Sequence, residues 1–131
     1  MQRKALVIDD DVFCLDVLVE YLSDKEFNIA SSLKPTCPMI EQNAVTCPMQ
    51  EPGYDIVLSD NHMPEITGLE FFELQRQRGC KVPPHHKALI SGDISKEEEK
   101  IAKMRGYKVF HKPTPLNLID SWIDEVSDKH S

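Results

Sequence analysis

The chain has 131 residues, 28% of them charged and 40% hydrophobic, with a formal net charge of −7. That length suits one domain able to bury about two-thirds of its unfolded surface, and the acidic balance argues against a nucleic-acid-binding face, which needs a basic surface. The apolar runs are too short to span a membrane, and the opening MQRKALVIDD lacks the long apolar stretch of a signal peptide. The expectation is a single cytoplasmic domain over 1–131, with an ordered core over about 3–128.

In chain order, KALVID (4–9) is a short continuous apolar run, the mark of a strand covered on both faces. Apolar residues at 12, 15, 18, 19 and 22 then follow helical spacing, with Asp16, Glu20 and Asp24 on another face. FNIASSL (27–33) alternates like a strand, and YDIVLS (54–59) is the next buried run. GLEFFELQRQR (68–78) reads as an amphipathic helix closed by Gly79. HKALIS (86–91) is a strand, and SKEEEKIAKMR (95–105) a very polar helix opened by a Ser95–Glu98 capping box and stopped by Gly106. YKVFH (107–111) is the fifth strand; Pro115 opens a last helix with Leu116, Ile119, Ile123 and Val126 on one stripe. Trp122 reads as a packing anchor in that helix, and Glu99 with Lys103 as an i,i+4 pair in the one before it.

Alternation of strand and helix implies a parallel sheet with helices on both faces. One unit is irregular: Pro35, Pro38, Pro48 and Pro52 restrict the second crossover to a short helix, with MIEQNAV (39–45) as the candidate. Four cysteines (Cys14, Cys37, Cys47, Cys80) form no C-x-x-C pair and read as free thiols. The tripeptide CPM occurs at 37–39 and again at 47–49; with His85 and His86 these thiols match no zinc-finger spacing, so the repeat reads as coincidence.

Four of the strands end in polar residues of particular kinds. The first runs into Asp9-Asp10-Asp11, the third into Asp60, the fourth into Ser91-Gly92 and the fifth into Lys112-Pro113. In an open parallel sheet these C-terminal ends share one edge, where ligands bind. Two carboxylates about 4 Å apart repel by roughly 4 kcal/mol at an effective dielectric near 20, so a cluster of three calls for a cation or raised pKa values. Oxygen-only ligation suits Mg²⁺, which takes one or two carboxylates together with phosphate oxygens. Lys112 and the Ser91 hydroxyl can hold the remaining oxygens of a transferring phosphoryl group, and a carboxylate beside them can become an aspartyl phosphate.

With VIDD, D-N-H-M-P, Gly68 eight residues past Asp60, IS before Gly92, and KP, the chain resembles the CheY-like receiver domain of two-component response regulators over essentially its full length. That resemblance implies a doubly wound, flavodoxin-like sheet of five parallel strands in order 2-1-3-4-5. It implies Asp60 as phosphoacceptor, Mg²⁺ held by Asp10, Asp60 and the His62 backbone carbonyl with Asp9 through water, and Ser91 and Lys112 in the family's hydroxyl and lysine places. A cis proline commonly follows that lysine. The expected function is a phosphorelay receiver rather than a classical enzyme, phosphorylating and dephosphorylating itself. It would take its phosphoryl group from a sensor histidine kinase or phosphotransfer protein and signal to a protein target, with neither nucleic acid nor membrane as a direct partner. A homodimer through the last helices is compatible with the pattern.

The chain departs from the family in its proline-rich second crossover, and at Val109 where an aromatic usually swings on phosphorylation; adjacent Phe110 should point to the opposite face of its strand. After Val126 only SDKHS remains, so a complete gene product of this length would signal through a partner. Two other readings stand beside this one. A pseudo-receiver would bind partners without being phosphorylated, and a haloacid-dehalogenase-type phosphatase would use Asp9 as nucleophile and Asp11 as acid. The phosphatase reading leaves Asp60 and Met63-Pro64 without a role; otherwise Asp11 is a helix-start charge.

Overall fold

A computed structural model describes residues 3–128. Its strands are β1 (Lys4–Ile8), β2 (Asn28–Ser32), β3 (Ile56–Asp60), β4 (Lys87–Ser91) and β5 (Lys108–His111). The helices are α1 (Val12–Asp24), α2 (Pro38–Glu41), α3 (Gly68–Gln77), α4 (Lys96–Arg105) and α5 (Leu116–Asp128), with one 3-10 turn at Pro84–His86. Every strand pair is parallel and the order is β2-β1-β3-β4-β5, as the strand–helix alternation and the family resemblance together imply.

The two-residue period of the strands divides the core in two. Ala5, Val7, Ile56, Leu58, Ala88, Ile90 and Phe110 face α1 and α5, whereas Leu6, Ile8, Val57 and Leu89 face Phe71 and Phe72 of α3 and Ala102 of α4. All five residues of β3 and of β4 are buried, which is why they read as unbroken apolar runs. Phe110 meets Trp122 edge to face at 5.9 Å, while Val109 lies on the opposite side with Tyr107, so the expected opposition of Val109 and Phe110 holds.

Helix ends follow from local chemistry. Asp11 caps α1, and capping boxes Thr67–Glu70 and Ser95–Glu98 open α3 and α4. The first four helices end alike, in a left-handed residue followed by a backbone bond reaching back five positions: Glu26, Asn43, Gly79 and Gly106 take positive φ, and the next residue donates to Leu22, Met39, Gln75 and Ala102. The same device corrects the expectation for the second crossover. A helix over 39–45 is not formed; α2 stops at Glu41 because Asn43, at φ 52°, turns the chain and the Ala44 N–H closes on the Met39 carbonyl at 2.8 Å.

Candidate functional site

Parallel register delivers the four polar strand ends to one edge. Asp9 lies just past β1, Asp60 ends β3, Ser91 ends β4, and Lys112 follows β5 before a cis bond to Pro113. Asp9, Asp10 and Asp60 each offer a carboxylate oxygen, all within 4.8 Å of one another. Asp9 and Asp60 are buried while Asp10 is exposed at the rim. Lys112 Nζ lies 3.2 Å from Asp9 Oδ2 and 3.6 Å from Asp60 Oδ1. The other Asp9 oxygen accepts the Asp11 N–H at 2.9 Å, and Asp60 Oδ1 accepts the His62 N–H at 3.4 Å.

Charge is crowded here. Burial, and next the Asp9 carboxylate, push the Asp60 carboxyl up to about 6 against the opposing pull of Lys112. Burial alone would lower Lys112, but Asp60 and Asp9 outweigh it and hold the ammonium above its ordinary range. Three carboxylates beside one ammonium leave an excess of two negative charges. An all-oxygen donor set open to water at Asp10 fits a small hard divalent cation such as Mg²⁺.

The remaining sequence-derived residues border this cluster. The Ser91 hydroxyl donates to Asp93 Oδ1 at 3.0 Å and accepts the Asp93 N–H at 3.2 Å, so it is engaged by its own loop. The His62 ring is exposed, with Nδ1 3.5 Å from Asp93 Oδ2, which brings the two rims of the opening together. Asp11 caps α1, its Oδ1 accepting the Phe13 and Cys14 N–H groups, as a helix-start charge does, and the phosphatase alternative is not favoured.

Three residues beside the site had no role assigned from sequence. Asn61 is 3% exposed; its Oδ1 accepts the Leu69 N–H at 3.0 Å and its Nδ2 donates to Glu98 Oε2 at 3.1 Å, tying the tip of β3 to the starts of α3 and α4. Its place in the D-N-H-M-P motif, directly after the acceptor candidate, was the signal. Cys14, in the first turn of α1, has its Sγ 3.8 Å from Lys112 Nζ. Gly68 belonged to the motif, and its necessity is steric: a Cβ would stand 2.5 Å from the Asp60 carbonyl oxygen and 2.8 Å from Leu89 Cδ2.

Solved structures similar to this chain share the whole architecture. The receiver domain of Francisella response regulator 1452 matches with a TM-score of 0.78 at 16% identity, covering 99% of this chain and 100% of that one. A CheY-like receiver domain from Methanospirillum hungatei matches at 0.76 and 17%, covering 99% and 98%. The fold is that of a response-regulator receiver domain. The activated receiver domain of DrrB, a BeF3 complex, has the same fold, at TM-score 0.73 and 17% identity over 98% of this chain and 99% of that one. By sequence, the two-component response regulator ORR21 of rice (Oryza sativa) is 32% identical over 71 residues, 54% of this chain. The match spans a tenth of the length of that rice regulator. No family model matches the chain. Among the described residues, no helix of this receiver fold is long and apolar enough to cross a membrane.

Proposed function

We propose that this chain is a phosphorelay receiver that accepts a phosphoryl group on Asp60 from a phosphohistidine of a sensor histidine kinase or phosphotransfer protein. The observation carrying this reading is the meeting of Asp9, Asp10 and Asp60 within 4.8 Å beneath the Lys112 ammonium. An ionised Asp60 oxygen attacks phosphorus in line; the P–N bond to the donor histidine breaks as the O–P bond forms, and the imidazole leaves with the bond's electron pair. Mg²⁺, held by Asp10, Asp60 and the His62 carbonyl with Asp9 through water, would neutralise charge on the transferring group. Lys112 holds a phosphoryl oxygen, exchanging part of its ion pair with Asp60 for one with the phosphate. The Ser91 hydroxyl leaves Asp93 to donate to another.

Access for a donor is supported by an apolar cleft of about 460 Å³ beside Asp9 and Lys112, between the start of α1 and the β5–α5 connection. Phe13 is 83% exposed there, with Val17 and Leu116 also open to solvent. Such a surface suits the apolar face of a partner helix. The test is labelling by a small phosphodonor with and without Mg²⁺, in wild type and Asp60→Asn. Acid-stable, base-labile label that needs both Asp60 and the cation is expected; label that survives the substitution, or ignores chelation, rejects the reading in favour of another site. Absence of label points to an interaction module that is not phosphorylated.

A further inference from the structure

The two CPM tripeptides, separate in sequence and without a role at the acidic edge, meet in space. Cys37, Met39, Cys47 and Met49 line one small cavity together with Cys80 from the α3–β4 connection. Its other walls include Gly53, Tyr54 and Val82, which precede β3 and β4, so it lies toward the sheet edge opposite Asp60. The segment is fastened there: the Cys47 N–H donates to the Arg78 carbonyl at 2.7 Å, and the Arg78 guanidinium returns a bond to the Val45 carbonyl at 3.0 Å. Five sulfur-bearing residues thus line a space of about 20 Å³, room for one ion or water-sized guest.

A second observation concerns Lys87, the first residue of β4. It is 2% exposed, and its Nζ donates to the neutral amide of Gln75 at 2.8 Å and lies 5.4 Å from the Phe72 ring centroid. Among the described residues no carboxylate stands within ion-pair distance of it. A buried cation is stabilised by a counter-charge, and Gln75, the partner of Lys87, is itself a wall of the cysteine-lined cavity.

We infer that this cavity is a binding site for a soft monovalent metal ion, Cu(I), held by the Cys47 and Cys80 thiolates with thioether support from Met49. Thiolate and thioether donors select Cu(I). Two thiols lose their protons as their sulfurs bond the ion, so the bound unit carries a net charge of −1, which the Lys87 ammonium balances. Zinc fits less well. Among the described residues only the acidic triad gathers three such ligands within 4.8 Å, so the thiols do not form the closed cage of a structural zinc. The inference does not depend on phosphorylation of Asp60.

The test is anaerobic competition of the reduced, full-length chain against a chromophoric Cu(I) chelator. One Cu(I) per chain is expected. Cys47→Ser and Cys80→Ser should each weaken retention at least tenfold, Met49→Leu severalfold, and Cys14→Ser not at all. Lys87→Met keeps the side-chain volume and should also weaken retention at least tenfold. Urea midpoints of each variant separate loss of the ligand from loss of the fold; if a cysteine variant unfolds, Met49→Leu and Lys87→Met decide. Retention unchanged by Cys47→Ser, Cys80→Ser and Met49→Leu, retention raised by Lys87→Met, or displacement of Cu(I) by equimolar Zn²⁺ would overturn the inference.

Discussion

Gly68 sits against the backbone of Asp60, where a Cβ would approach the carbonyl oxygen to 2.5 Å. Alanine ordinarily stabilises a helix by up to about 1 kcal/mol relative to glycine. Here the contact is with backbone, which cannot rotate away. Gly68→Ala is therefore expected to destabilise the chain by about 1–3 kcal/mol in urea unfolding. It should also lower phosphoryl incorporation, because relief of the clash moves the tip of β3. An unchanged or raised midpoint would show that α3 can slide without cost.

The Asp60 carboxyl titrates near 6 in the folded chain and near its ordinary 3.8 when unfolded. Between those values the folded state binds more protons, so stability falls as pH rises through the window and the deficit is complete above about 6. The difference corresponds to roughly 3 kcal/mol at most. With divalent cations chelated, Asp60→Asn should raise the unfolding free energy by about 1–3 kcal/mol at pH 7, an advantage that vanishes toward pH 4. Mg²⁺ should stabilise wild type more than the variant. Equal gains at both pH values would contradict a charge origin.

Helix α4 buries only Ala102, leaving Ile101 and Met104 exposed. It is held by polar ties instead: Asn61 to Glu98 at 3.1 Å and His111 to Glu99 at 2.9 Å. With Val109 in the usual aromatic's place, phosphorylation should alter the 91–95 loop and α4 rather than flip a buried ring. Hydrogen exchange over 91–105 should change with a phosphate mimic. Asn61→Ala, which removes a tie of about 0.5–1.5 kcal/mol, should speed exchange over α4 severalfold. Identical protection in all three states would place the response elsewhere.

His62 and Asp93 face one another across the opening at 3.5 Å. Hydrolysis of an aspartyl phosphate needs water in line with phosphorus, and that water must pass this rim. His62→Ala and Asp93→Ala are each expected to change the dephosphorylation rate severalfold, and the double variant to be non-additive because the pair borders one path. Decay at the wild-type rate in both single variants would leave them as loop residues beside the site.

Much of this molecule is legible residue by residue, because the signals involved are local. Unbroken apolar runs marked the buried strands, the 3.6-residue stripe with Pro115 marked α5, and Ser95 with Glu98 marked the start of α4. The acidic edge was legible too, since its residues lie at or just past strand ends and parallel strands end together. The length of α2 was not: four prolines signalled an irregular crossover, but the turn itself rests on the left-handed Asn43 and its closing bond. Asn61 stood in the motif without a role, and packing placed it between Leu69 and Glu98. Lys87 drew no reading of its own within HKALIS, and the CPM repeat read as coincidence. Only the tertiary fold buries that ammonium against Gln75 and brings cysteines from positions 37, 47 and 80 to one cavity that Gln75 also lines. Periodicity and capping act over a few residues and leave their mark in sequence order, whereas burial of a charge is decided by chain segments dozens of residues away.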